Sequence, residues 1–318
     1  AEAKAEAVEL HGLRVAVLRK RFDVLQALPG SDGKATLSVA RELATLLPDD
    51  DEVLGRYEVL LAEAGQREAA RTVARGRVAA AERRGAPVPE RAERLRALAQ
   101  RHGELHEAAE AAAVLEQALA LAPEDLAGLR ALARLRGTLG DPTGERDALL
   151  RLAEREEGPA AVAALLQAAS VERGPLSDAT AARATLERAL GRAGEDAALR
   201  LQVLTPLCDL THEQGDAAAT ERFARAELAL RKAPPKRAKP GEDASAEGDD
   251  ANQERLAALH TRLGVLLLQR GQEAAGEIEL NAALTASPGS LPATLALLPM
   301  ATERATPLHS APRTAVVR

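Results

Sequence analysis

Few residues in this chain are placed for chemistry. His102 and His106 stand four apart, the spacing at which two imidazoles on one helical face can share a metal ion. Gly103 lies between them, the pattern is not His-Glu-x-x-His, and no cysteine or further histidine is near. A turn is therefore expected to divide the pair between two helices, and no metal is expected. Cys208 is the single cysteine, which excludes an intramolecular disulfide. No base stands beside it in sequence to take its proton, so it reads as a small buried hydrophobe rather than a nucleophile. Carboxylates adjoin one another, as in Asp49-Asp50-Asp51, but at the starts of predicted helices, where they satisfy free backbone N–H groups. Glycine-rich phosphate loops and a Gly-x-Ser-x-Gly elbow are absent. The expectation is a protein without catalytic activity and without a cofactor.

Charge narrows the partners. The net charge is -6 and the pI about 5.7, which disfavours nucleic acid, since phosphate recognition needs a basic surface. Arg67, Arg71 and Arg75 recur every fourth residue, and Arg83, Arg84, Arg91, Arg94, Arg96 and Arg101 follow. Glu104, Glu107, Glu110 and Glu116 answer in the next stretch. Opposed blocks of this kind make exposed ion pairs, and the sharper alternative is a basic docking patch. No run of about 18 apolar residues is present, so no membrane insertion is expected. The sequence opens at Ala1 on a charged rather than apolar stretch, which reads as no signal peptide and, by default, a cytoplasmic protein.

The elements that must position these side chains are helical. Aromatic residues are 1% of the chain, with no tryptophan, while alanine, leucine, arginine and glutamate dominate; these cost little in a helix. Small side chains suit thin layers of closely packed helices better than one large core. Glycines recur where turns are needed, at Gly65, Gly103, Gly140, Gly174, Gly215 and Gly271. Pro48 precedes Gly65 by 17 residues and Pro123 precedes Gly140 by the same 17. The predicted helix pairs are 2–28 with 34–47, 51–64 with 67–84, 89–102 with 105–121, and 125–139 with 143–156. Then come 159–173 with 178–192, 196–214 with 216–232, and 252–270 with 273–286. Asp141-Pro142 opens a second helix, and Pro206 falls inside a first one, where it should kink it. Residues 1–48 thus form an irregular hairpin, 49–232 a helical array, 233–251 a Pro/Lys/Arg then acidic linker, 252–290 a further repeat, and 291–318 a C-terminal helix and tail.

Leu263-Gly264, Leu267, Gly271, Gly276, Leu280, Ala283 and Pro288 resemble one tetratricopeptide repeat, a unit of about 34 residues. Leu54, Tyr57, Leu61, Gly65 and Ala70 repeat the pattern more loosely, as do Leu129, Leu132, Ala133, Gly140 and Leu149. The resemblance implies an all-α fold, an α-solenoid of stacked helix–turn–helix repeats in a tetratricopeptide-like superhelix. It implies that Leu263 and Leu267 supply bulk, that Gly264 and Gly276 allow close approach, and that Leu280 and Ala283 face the next repeat. Glu58 and Arg96 depart from the pattern, standing where it wants small residues.

In such repeats the fifth, sixth and ninth positions of the first helix point into a concave face. Arg56, Arg94 and Arg262 fall at the sixth, and Arg130 and Arg134 at the fifth and ninth. An arginine row there would suit the carboxylates of an acidic peptide; the plainer reading is a set of solvated side chains. The resemblance implies a non-enzymatic scaffold binding a protein partner as a peptide or helix in that groove. The alternative is the helical docking portion of a larger enzyme whose catalytic domain lies elsewhere.

Overall fold

A computed structural model describes residues 2–27, 33–232 and 246–305, and among them every regular element is a helix. The helices are α1 (Glu2–Ala27), α2 (Gly33–Leu46), α3 (Asp51–Glu63), α4 (Arg67–Arg83), α5 (Val88–Glu104), α6 (Ala108–Leu121), α7 (Leu126–Thr138), α8 (Pro142–Arg155) and α9 (Gly158–Arg173). There follow α10 (Ala179–Arg192), α11 (Ala197–Glu213), α12 (Ala217–Lys232), α13 (Ala246–Gln269), α14 (Glu273–Ala286) and α15 (Leu291–Ala305). They fall into two compact units, Ala1–Leu176 and Ser177–Arg318, so the first holds α1 to α9 and the second α10 to α15. Within each unit every helix packs on its successor in the chain, and in the second unit α13 also touches α15. That sequential file is what defines stacked hairpins: one hairpin cannot cover its own apolar face, and the next supplies the cover. Among the described residues no helix is long and apolar enough to cross a membrane.

Local chemistry sets the starts and turns. Asp50 caps α3 by accepting from Val53 N at 3.2 Å, and Asp141 caps α8 by accepting from Gly144 N at 2.9 Å, with Pro142 opening the helix. Gly65, Gly140, Gly215 and Gly271 take φ of 75°, 68°, 71° and 73°, the left-handed turn conformation that side chains resist.

Two predicted turn glycines do not serve. Gly103 lies within α5, and the left-handed residue of that hairpin is His106, φ 61°. The carbonyl of His102 accepts from the N–H groups of Leu105 and Glu107, so α5 runs two residues past its expected end and the turn falls three residues later. Gly174 caps α9 at φ -84°, and Ser177, φ 53°, makes the turn. α13 begins at Ala246, inside the stretch expected as a linker over 233–251, and 233–245 lie outside the described residues. The tail expected beyond α15, 306–318, lies outside them too. Pro206 sits inside α11, which continues through it to Glu213.

The packing follows the repeat pattern. Leu263, Leu267, Leu280 and Ala283 are buried, and Leu280 and Ala283 cluster with Ala293 of α15, the next helix in the file. A Cβ on Gly264 would lie 2.6 Å from Leu280 Cγ and 3.1 Å from the Gly276 carbonyl oxygen, so α13 and α14 meet at a distance only glycine permits. Leu61, Ala70, Leu129, Leu132, Ala133 and Leu149 are likewise buried.

Candidate functional site

The five arginines singled out from the sequence all lie on first helices, but their surroundings differ. Arg56 on α3 is 43% exposed and bonds Asp23 at 3.2 Å and Glu52 at 2.8 Å, both more exposed than itself. It lines a cavity of about 180 Å3 between α1, α2 and α3, its guanidinium 5.9 Å over the Phe22 ring. Ion pairs this open contribute little, so Arg56 can exchange its partners for a ligand carboxylate at small cost.

Arg94 on α5 is held inside a cluster of charges. Its Nε donates to Asp51 Oδ1 at 3.0 Å, and Asp51 also accepts from Arg77 Nε at 2.9 Å. Arg77 donates in turn to Glu58 at 2.6 Å, and Glu58, almost wholly buried, accepts from Arg101 at 2.8 Å. Burial alone would raise the Asp51 pKa, but the hydrogen bonds and charges of Arg77 and Arg94 hold it below the usual value. This explains the departure at Glu58. Gly55 leaves room for the Arg77 guanidinium beside it, whose Nη2 would be 2.9 Å from a Cβ there. A buried carboxylate stands where a small residue was expected because α4 and α5 each send it a guanidinium.

Arg130 and Arg134 share α7. Arg130 pairs with Glu156, which is buried. Arg134 is exposed and has no ion pair or side-chain hydrogen bond among the described residues. It lines two cavities at once: one of about 570 Å3 between α5 and α7, lined also by Ala99, Gly103, Leu115, Ala127 and Ala131, and one of about 360 Å3 toward α8 and α9, lined also by Ala133, Leu149, Leu152, Ala160 and Ala163. Small side chains on α5, α7 and α9 leave the hollows shallow and open, and Arg134 stands on the rise between the two.

In the second unit Arg262 lines a groove of about 740 Å3 along α13, walled by Ala257, Ala258, Val265, Leu266 and Pro292. Arg262 is paired with Asp209, which also accepts from Arg255 Nη1 at 2.8 Å. Arg255 reaches both oxygens of buried Glu227, at 2.9 and 2.8 Å. Burial would raise the Glu227 pKa, and Arg255, Thr205 and Arg231 together reverse this and hold it low. The order acid, arginine, acid, arginine thus runs from the core of this unit to the wall of its groove.

Several of the block charges are paired within the chain. Arg71 pairs with Glu107, Arg136 with Glu116, and Arg67 donates to the Glu104 carbonyl at 3.3 Å. His102 is buried with Nδ1 2.6 Å from Glu107 Oε2, while His106 sits in the turn, and among the described residues no group of side chains could hold a metal ion. Cys208 is buried and its thiol pKa is raised by that burial. Sequence reasoning missed the buried partners Glu58, Arg77, Arg101 and Glu227 and the half-buried Asp51, Asp209 and Arg255. One signal was available: Arg94 with Arg101, and Arg255 with Arg262, are seven apart, two turns on one helical face, each pair meeting acids of the preceding hairpin.

No protein-family model matches the chain, and no curated protein matches it. Among solved structures it is similar to one of Naa15/Naa10 bound to HypK-THB, with a TM-score of 0.57 over 90% of this chain and 14% sequence identity. The chain spans 39% of that longer one. It is also matched to YrrB, a TPR protein with an unusual peptide-binding site, at TM-score 0.38 and 15% identity over 64% of this chain and 91% of the other. The C-terminal part of a TPR repeat-containing protein from Cytophaga hutchinsonii matches at TM-score 0.44 and 8% identity, over 89% and 99%. Within each unit the fold is all-α, an α-solenoid of stacked helix–turn–helix hairpins.

Proposed function

We propose that this protein is a non-enzymatic interaction scaffold whose first helices seat a partner peptide or helix bearing carboxylates. The observation that carries the reading is Arg134: of the five candidate arginines it alone has no internal partner among the described residues, and it stands between two hollows lined in part by small residues. A guanidinium so placed can take a carboxylate through two parallel N–H···O bonds, while the hollows admit the partner's apolar side chains. Arg56 is the second anchor, since its bonds to Asp23 and Glu52 are exposed and exchangeable. Arg94, Arg130 and Arg262 set the charge of these faces from within their ion pairs. The Naa15/Naa10 structure that this fold resembles is itself of a complex bound to HypK-THB, which supports reading such a fold as a platform for other chains.

The test is fluorescence-polarisation binding of an acidic peptide pool to the wild type, Arg134→Ala and Arg75→Ala, the last an exposed arginine on α4 outside the hollows. A charge-assisted hydrogen bond contributes about 1.5 kcal/mol, so Arg134→Ala should weaken binding roughly tenfold. Arg75→Ala should leave it unchanged. Equal affinity for all three proteins would dismiss the site.

A further inference from the structure

We propose that α1 is a self-association helix through which two copies of this chain pair side by side in parallel. One side of α1 is spoken for: Leu18 and Phe22 are buried in the core cluster with Val39, Ala40 and Leu43 of α2. Another side carries Leu10, Leu13, Val17 and Val24, which are 62%, 59%, 65% and 57% exposed. At 3.6 residues per turn these four fall within an arc of roughly 60°, turned about 130° from the buried side. A soluble surface scatters such residues singly; a straight apolar file is the mark of an interface.

The spacing identifies what the file fits. Leu10, Val17 and Val24 are seven apart, and Leu13 and Lys20 fill the alternate seam positions. A seam repeating every 3.5 residues is that of a supercoiled helix pair, and β-branched residues at the first position with leucine at the fourth favour two parallel strands. A lone polar residue in the seam, here Lys20, costs stability and restricts the register and number of strands. Flanking charges choose both the partner and its direction. Glu9 borders the seam on one side, and Arg14 and Arg21 border it on the other. In a parallel pair of identical helices Glu9 of one copy comes beside Arg14 of the other, whose exposed pairing with Glu42 of α2 is exchangeable. An antiparallel pair that sets Leu10 against Lys20 and Leu13 against Val17 instead sets Glu9 against Asp23 and the two Arg14 side chains against each other, which repel. A second copy of the chain therefore supplies both the apolar and the charged complement that α1 presents.

The full chain should have twice its 33.4 kDa mass in sedimentation equilibrium at micromolar concentration. Val17→Glu should return it to the single-chain mass with an unchanged circular dichroism spectrum, because Val17 is exposed and faces away from the core. Val24→Cys should form a disulfide-linked dimer on mild oxidation, since parallel pairing in register sets the two thiols face to face. Cys208 is buried and serves as the silent control in the unsubstituted protein. A wild type that stays at single-chain mass at every concentration would overturn the proposal, as would a dimer that survives Val17→Glu. A dimer in which Val24→Cys fails to crosslink would overturn the parallel arrangement.

Discussion

Replacing Glu227 with glutamine removes one charge and almost no volume. The carboxylate accepts four hydrogen bonds: two from Arg255, one from Arg231 at 2.9 Å and one from Thr205 at 2.9 Å. Three of those come from guanidiniums, and the glutamine amide would turn an N–H group toward one of them. Breaking a buried ion pair from one side costs about 3–5 kcal/mol. Here Arg255 keeps Asp209 at 2.8 Å and Arg231 keeps Asn252 at 3.0 Å, so the loss falls at the lower end, about 3 kcal/mol. With a urea slope of about 2 kcal/mol per molar, the midpoint of the affected transition should fall by roughly 1.5 M. The assay is urea unfolding followed by far-UV circular dichroism, with hydrogen exchange in α11, α12 and α13 as the local readout. The double replacement Glu227→Leu with Arg255→Met removes both charges and should recover at least half of the loss. A loss below about 0.5 kcal/mol in Glu227→Gln would refute the claim that this carboxylate pins α12 to α13.

Acid should act on the same clusters. Asp51, Asp209 and Glu227 have folded pKa values below their ordinary 3.8, 3.8 and 4.5. The unfolded chain therefore binds more protons, so their contribution is present above pH 4.5, declines as pH falls through that range, and is lost below the folded values; urea midpoints against pH check this. Gly264→Ala should destabilise by roughly 1–3 kcal/mol in thermal unfolding, because its Cβ meets Leu280 and the Gly276 carbonyl. His106→Gly should raise stability by up to about 1 kcal/mol by relieving a left-handed residue, measured in the same melts. Arg134→Ala should change stability by less than about 0.5 kcal/mol, since Arg134 has no internal partner among the described residues to lose.

The hairpins were legible in the sequence because their signals are local. Aspartate caps at Asp50 and Asp141, glycines at Gly65, Gly140, Gly215 and Gly271, and the small pair Gly264 and Gly276 each act within one or two turns of chain. Gly103 and Gly174 misled because a glycine is tolerated inside or at the end of a helix, and the residues that bend the chain there, His106 and Ser177, carry no such signature. The candidate arginines were found by position within the repeat, but their partners were not. Asp51 and Arg94 are 43 residues apart, and Asp209 and Arg262 are 53. Whether an arginine is free or engaged depends on which acid the neighbouring hairpin brings beside it, and that is fixed by packing between hairpins rather than by any local pattern. Only the structure separates Arg134 from its paired companions.

Hydrogen exchange of the intact chain, with and without a bound acidic peptide, tests most directly whether the first helices form the binding face. Protection gained in α5, α7 and α9, centred on the turn of α7 that carries Arg134, is the predicted result. Protection gained instead in α4, α6 and α8, with α7 unchanged, would contradict it.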